Sequence, residues 1–367
     1  MSSPFELQTL RTPRLSILFT CLVWSSIALS TPLYAQPDPG KAQPDRLDFG
    51  MVRMGATVDG SVRILKAGDD ATGVPVNVHP PSFARVKRVE LATQTYGHLG
   101  TRVLCDIFVS IDTQHVGKIS GTMVVEIGAQ KVEVPIKANV LPQDPNATSL
   151  LVVQTPFNRV STEDASRFNP WLKLVESEGL DAHYIDIIRH EPVLRDLDLS
   201  QFDVILLAST GLYFALNADV ERLNQFVADG GRLIVSANAF MAGTVEKANE
   251  LLTPAGLRMN DTEPRKTELF DVTGDEIISD TLTESVLRIK CFRPSPIAIL
   301  DHAKAKILVD APQYPGEGFV AVGRQGEGEV IALGQSLWWN WIGDAKYAGS
   351  DNQRLFRNMV ASFGNGQ

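Results

Sequence analysis

The chain has 367 residues, 44% of them hydrophobic, and a formal net charge of −9. That length suits two domains of ordinary size, and that composition fills ordinary cores. The acidic balance, with its charges scattered rather than blocked, argues against nucleic acid or anionic lipid as the main partner.

Residues 1–35 read as an export signal. Arg11 and Arg14 precede an apolar stretch over 15–29, and Tyr34-Ala35 offers a small residue before a cut. The stretch is interrupted by Ser25 and Ser26 and falls short of the ~20 residues of a comfortable membrane span. The remainder is expected on the far side of a membrane, secreted or periplasmic, and touching the membrane only through the N-terminal segment if that is retained. Residues 36–45, rich in Pro and polar residues, form a flexible leader. Beyond the signal only Cys105 and Cys291 remain, each in a strand-like run, and two buried free thiols are expected rather than a bridge. No C-x-x-C pair points to zinc or redox chemistry, and no cofactor is expected.

From 46 to 141 the pattern alternates with period two. Candidate strands cover 61–67, 74–78, 86–92, 102–111, 121–127 and 131–140. In the last, Val132, Val134, Ile136 and Ala138 share a face opposite Lys131, Glu133 and Lys137. Short strands without helical periodicity predict a β-sandwich. The opening Leu47-Asp48-Phe49-Gly50-Met51-Val52-x-x-Gly55 resembles the first strand of the Ig-like domains of hydin and abnormal-spindle proteins. That resemblance implies adhesion or spacing rather than catalysis. Pro142 and Pro145 mark residues 142–148 as a linker.

From 149 to 367 the period changes. Short apolar runs at 150–154, 182–188, 204–209 and 232–236 read as buried parallel strands. Helical signals lie between them. Asn169-Pro170 predicts a helix start, with Phe168, Trp171, Leu172 and Val175 on one face and Gly179 as its stop. Asn217 is expected to cap a helix that buries Val220, Leu223, Phe226 and Val227 and ends at Gly230. A last helix from near Asp351 carries an apolar stripe of Leu355, Phe356, Met359, Val360 and Phe363. The fold class expected is therefore an all-β Ig-like sandwich followed by an α/β domain with a doubly wound, mostly parallel sheet.

Four motifs in this half resemble class I glutamine amidotransferase-like (flavodoxin-like) domains. They are the run Phe202-Asp203-Val204-Ile205-Leu206-Leu207, the run Phe226-Val227-Ala228-Asp229-Gly230-Gly231-Arg232-Leu233-Ile234-Val235, Gly326-x-Gly328-x-Val330-Ile331-Ala332-Leu333-Gly334, and Asp351-Asn352-x-x-Leu355-x-x-Asn358. In catalytic members of that family a Cys on a strand-to-helix elbow works with a late His and Glu. Here the elbow segment Ser236-Ala237-Asn238-Ala239 has no Cys, and no late His-x-Glu follows. The resemblance thus implies a non-catalytic branch.

Candidate ligand-binding residues cluster where strands end, since open α/β sheets bind ligands beyond the carboxyl ends of their strands. They are Ser209 and Thr210, Ser236 and Asn238, and the tryptophans Trp338, Trp339 and Trp341 after Gly334. Each has a structural alternative: Ser and Asn serve turns, and Trp packs under helices. The pair His190-Glu191 and the run Asp69-Asp70 fit loops and turns better than an acid–base pair or a calcium site. The function expected is a non-catalytic binding or scaffolding protein of the cell envelope, holding an envelope protein or glycan at the strand-end crevice. The alternative is an exported hydrolase with Ser236 or Ser209 as nucleophile, which needs a base beside the hydroxyl.

Overall fold

A computed structural model describes residues 41–43, 45–67, 73–96, 100–154, 162–186, 194–195, 197–208, 212, 215–239, 243–261, 269–335, 342 and 345–361. The expected export signal and most of the leader lie outside them.

Eight strands come first: β1 (Ala42–Gln43), β2 (Leu47–Arg53), β3 (Asp59–Ala67), β4 (Val76–His79), β5 (Ala84–Tyr96), β6 (Gly100–Ile111), β7 (Gly117–Ile127) and β8 (Gln130–Leu141). They form two four-stranded sheets, ordered β1-β3-β6-β5 and β2-β8-β7-β4. Period-two alternation explains the packing. Val62 and Ile64 on β3, Cys105 and Ile107 on β6, Met123 and Val125 on β7, and Val134 and Ile136 on β8 all enter one buried cluster. The pairing is antiparallel except between β2 and β8, which run parallel. The sheets establish two-sheet packing; they do not show the Ig-like family.

The second half contains β9 (Ser149–Gln154), α1 (Thr162–Glu178), β10 (Asp181–Asp186), β11 (Val204–Ala208), α2 (Asn217–Ala228), β12 (Arg232–Ser236), α3 (Thr244–Leu252), β13 (Leu257–Met259), β14 (Leu269–Thr273), β15 (Arg288–Phe292), β16 (Ile297–Ile299), β17 (Ala305–Asp310), β18 (Glu317–Gln325), β19 (Gly328–Leu333) and α4 (Asn352–Ala361). A nine-stranded sheet runs β10-β9-β11-β12-β19-β18-β16-β13, with β17 beside β18. Its first five strands are parallel, and every pairing from β18 outward is antiparallel.

This corrects the expected doubly wound, mostly parallel domain: the sheets of the chain are mixed and antiparallel. The reason is connection length. Only Gly326 and Glu327 separate β18 from β19, enough for a hairpin but far short of the dozen or so residues a parallel crossover needs. The short β13 and β16 carry too few residues for periodicity to reveal them. β14 and β15 form a separate two-stranded sheet.

Helices cover both faces of the parallel strands. Trp171, Leu174 and Val175 of α1 and Leu355, Phe356, Met359 and Val360 of α4 pack on one side. Val220, Leu223, Phe226 and Val227 of α2 and Val245, Ala248 and Leu251 of α3 pack on the other. Two helix starts differ from expectation. Pro170 lies inside α1 rather than at its start. A proline there forfeits one backbone bond, while Trp171 beside it is fully buried and donates Nε1–H to the Tyr184 hydroxyl at 3.1 Å. Asn217 is not the cap of α2; the carboxylate of Asp219 accepts the Leu216 N–H at 2.9 Å, and Asn217 accepts from Lys247 instead. Cys105 and Cys291 are both buried, and they are not bridged to each other.

The two halves meet through backbone as well as side chains. Tyr184 N–H donates to the Thr57 carbonyl at 3.1 Å, and Thr57 N–H donates to His183 Nδ1 at 2.9 Å. Arg53 donates to the carbonyls of Gly179 and Pro142, at 2.8 and 3.1 Å.

The glycines of the third motif are set by contact. A Cβ on Gly328 would stand 2.2 Å from the Val227 carbonyl oxygen at the end of α2. Gly328→Ala is expected to destabilise the chain by about 1–3 kcal/mol, seen as a lowered midpoint in urea unfolding followed by circular dichroism; an unchanged midpoint would contradict that packing.

Candidate functional site

The carboxyl ends of the parallel strands define the rim where the sequence places its candidates. Ser236 is the last residue of β12, between Ala208 of β11 and Leu333 of β19. It is fully buried, and its hydroxyl donates to the Gln335 carbonyl. Gln335 in turn accepts the Phe292 N–H on Oε1 at 3.1 Å. No His or Lys is among the hydrogen-bond partners of Ser236 in the described residues.

Asn238 lies two residues beyond and is 2% exposed. Its Nδ2 donates to the Arg293 carbonyl at 3.0 Å, which fixes the orientation of the amide. Its main-chain carbonyl accepts from the Thr244 hydroxyl at 3.1 Å. The amide oxygen Oδ1 is buried and has no hydrogen-bond partner among the described residues. An unsatisfied buried acceptor costs roughly 1–3 kcal/mol, so it calls for a donor. Arg293 beside it has φ +48°, a conformation uncommon for a residue with a side chain.

Ser295 completes the girdle. Its hydroxyl accepts the Ala239 N–H at 2.8 Å and its own N–H donates to Gly334. Sequence reasoning missed Arg293, Ser295 and Gln335. The signals available were weak: Ser295 sits between two prolines, as turn residues do, and Gln335 directly follows the strand-ending Gly334. The structure thus brings Ser236 and Asn238 together with these three. Ser209, Thr210, Trp338, Trp339 and Trp341 lie outside the described residues, as do His190 and Glu191.

The thiols are remote from this rim or sealed. Cys105 points into the sandwich core, where burial and then the neighbouring Asp106 push its pKa up to about 12. Cys291 is buried in β15. Among the described residues no group of three or more His, Cys, Asp or Glu side chains is placed to hold a metal ion, and no helix is long and apolar enough to cross a membrane.

Several residues of the motifs that resemble glutamine amidotransferase-like domains sit at the other end of the strands, and others brace the flanking elements. Asp203, before β11, accepts the Ser149 N–H at 2.8 Å. Arg232, at the start of β12, pairs with Glu329 and donates to the Met359 carbonyl at 2.8 Å. A Cβ on Gly231 would meet the Phe226 ring at 2.2 Å. Asn352 donates to and accepts from the backbone of Lys290, and Asn358 donates to the carbonyls of Leu282 and Glu284.

No family model and no curated protein matches the chain. Among solved structures it is similar to a cytoplasmic protein of Salmonella typhimurium LT2, at 12% identity and a TM-score of 0.40, over 68% of this chain and 96% of that one. It is also similar to a putative ThuA-like protein of Bacteroides uniformis, at 13% identity and 0.36, over 59% and 91%. A third is a putative ThuA-like protein of Parabacteroides merdae, at 9% identity and 0.40, over 60% and 91%. ThuA-like proteins fall in the glutamine amidotransferase-like, flavodoxin-like class that the motifs resemble. Likeness at this level assigns no activity and no compartment.

Two outcomes are expected. The Cys105 thiol, shifted from 9.0 to about 12, holds on the order of a thousandfold less thiolate at pH 8 than an unperturbed one; it should resist iodoacetamide in the native chain and react after unfolding, as read by mass spectrometry. Ser236→Ala leaves the buried Gln335 carbonyl short of a donor and should cost about 1–3 kcal/mol in a thermal or urea melt.

Proposed function

We propose that this chain is an exported, non-catalytic binding or scaffolding protein of the cell envelope, which holds an envelope protein or glycan at the carboxyl rim of its parallel strands. The orphaned amide oxygen of Asn238 carries this reading. An acceptor fixed in place by its own Nδ2 bond, in a buried polar girdle, suits a ligand that offers an O–H or N–H. Sugar hydroxyls and peptide amides both qualify.

Two further observations support it. The Ser236 hydroxyl is occupied by a main-chain carbonyl, which is a structural use and not the arrangement of a nucleophile beside a base. Arg11 and Arg14 ahead of the apolar stretch at 15–29 support export.

The test is calorimetric titration of the mature chain with soluble envelope oligosaccharides, alongside crosslinking to envelope proteins in the native cell. Saturable binding that weakens roughly tenfold in Asn238→Ala, the loss of about 1.4 kcal/mol expected for one ligand hydrogen bond, supports the reading once the variant is shown to melt cooperatively. Turnover of ester or glycoside substrates that Ser236→Ala abolishes would instead establish the hydrolase alternative.

A further inference from the structure

The hairpin β14–β15 has two edges that are treated very differently. On the β15 side the backbone is capped residue by residue. Asp351 donates its N–H to the Arg288 carbonyl at 2.7 Å and accepts the Arg288 N–H on Oδ2 at 3.0 Å. Asn352 accepts the Lys290 N–H at 3.0 Å and donates to the Lys290 carbonyl at 2.8 Å. Gln335 accepts the Phe292 N–H. These side chains stand in for a neighbouring strand.

This fixes the direction of every other backbone group in the hairpin. If Arg288, Lys290 and Phe292 turn outward, Ile289 and Cys291 bond to Val272 and Phe270 opposite them. Leu269, Asp271 and Thr273 must then turn their backbone groups to the far edge. Thr273 N–H is taken by Glu276 at 3.3 Å. Leu269 and Asp271 have no main-chain partner on that edge among the described residues.

A groove of about 420 Å³ runs along this edge, lined by Leu269, Asp271, Glu276, Pro312 and Gln313 among others. Leu269 is 41% exposed, large for an apolar side chain. Asp271 is ion-paired with Arg288, whereas Glu276 has no ion pair among the described residues. Asp310 stands close enough for the field of Glu276, after burial, to raise its pKa, so two carboxylates lie near one another at the groove end. Open edges of folded chains are ordinarily blunted by lysine, proline or a bulge, because they recruit strands. None of these interrupts β14.

We infer that the outer edge of β14 is a docking site for an extended segment of a partner protein, which adds as a third strand and directs a lysine or arginine toward Glu276 and an apolar side chain onto Leu269. Main-chain bonds to Leu269 and Asp271 supply the pairing, and alternate side chains supply the selection. This site is separate from the proposed rim and does not depend on it.

Amide hydrogen exchange on the whole chain, with and without the blocked peptide Thr-Leu-Thr-Lys-Thr, tests it. The Leu269 and Asp271 amides should exchange freely in the chain alone and slow when the peptide is added. Methylating the backbone nitrogens on one edge of the peptide should abolish the slowing, whereas methylating the other edge leaves it. Glu276→Gln, which keeps an acceptor for Thr273, should weaken binding roughly tenfold with an unchanged melt. Protection of both amides before the peptide is added overturns the inference. So does failure of the peptide to bind, indifference to which edge is methylated, or equal binding when the peptide lysine is replaced by glutamate.

Discussion

A buried guanidinium ties the two central parallel strands β12 and β19 to the helix α4. Arg232 is 6% exposed, at the first position of β12, where it pairs with Glu329 at the start of β19 and reaches the Met359 carbonyl near the end of α4. Burial lowers its pKa and Glu329 opposes that shift. One side chain therefore ties two adjacent parallel strands to the helix that covers them. A buried charge is tolerated only with its partners in place, so the register of β12 against β19 and the seat of α4 are set together. Ser236, four residues along β12, owes its position to that register.

The parallel strands divide their chemistry between their two ends. At the amino ends Asp203, Gly231, Arg232, Gly328 and Glu329 satisfy backbone groups, fill space and neutralise charge. Of these, Asp203, Gly231, Arg232 and Gly328 fall in the runs that resemble glutamine amidotransferase-like domains. At the carboxyl ends Ser236, Asn238, Ser295 and Gln335 form a polar girdle with one acceptor left over. A motif that builds the base of a sheet reports how strands are assembled and is silent about what the opposite rim holds. The resemblance therefore speaks to architecture.

The same division explains what could be read in the sequence. Continuous apolar runs and helix stripes announced β9, β11, β12, α2 and α4, because burial on both sheet faces leaves a composition signal that needs no partner to interpret. The antiparallel half was not legible. The strands β13 and β16 are three residues long, and Gly326-x-Gly328 reads only as part of a family-like motif, not as the turn of a hairpin. Asn217 looked like a cap because Asn often is one, yet the neighbouring Asp219 has the charge and reach to do better. At the rim, Ser236 and Asn238 were visible as polar residues closing an apolar run. Their partners Arg293, Ser295 and Gln335 come from elsewhere in the chain, and only the fold brings them close.

The join between the halves constrains how the rim can be used. Tyr184 and His183 on the edge strand β10 are bonded to the backbone at Thr57, and Arg53 grips the carbonyls of Pro142 and Gly179. A Cβ on Gly50 would stand 2.8 Å from Leu172 of α1, so α1 and β2 are in direct van der Waals contact. One apolar cluster runs from Phe49 and Val52 through Trp171 and Tyr184 to the parallel strands. A tether loose enough to let one half swing would have to break backbone bonds and expose that cluster, at about 25 cal/mol for each Å² of apolar surface uncovered. The sandwich is therefore fastened to the edge of the nine-stranded sheet. The carboxyl rim thus keeps a fixed bearing relative to the sandwich.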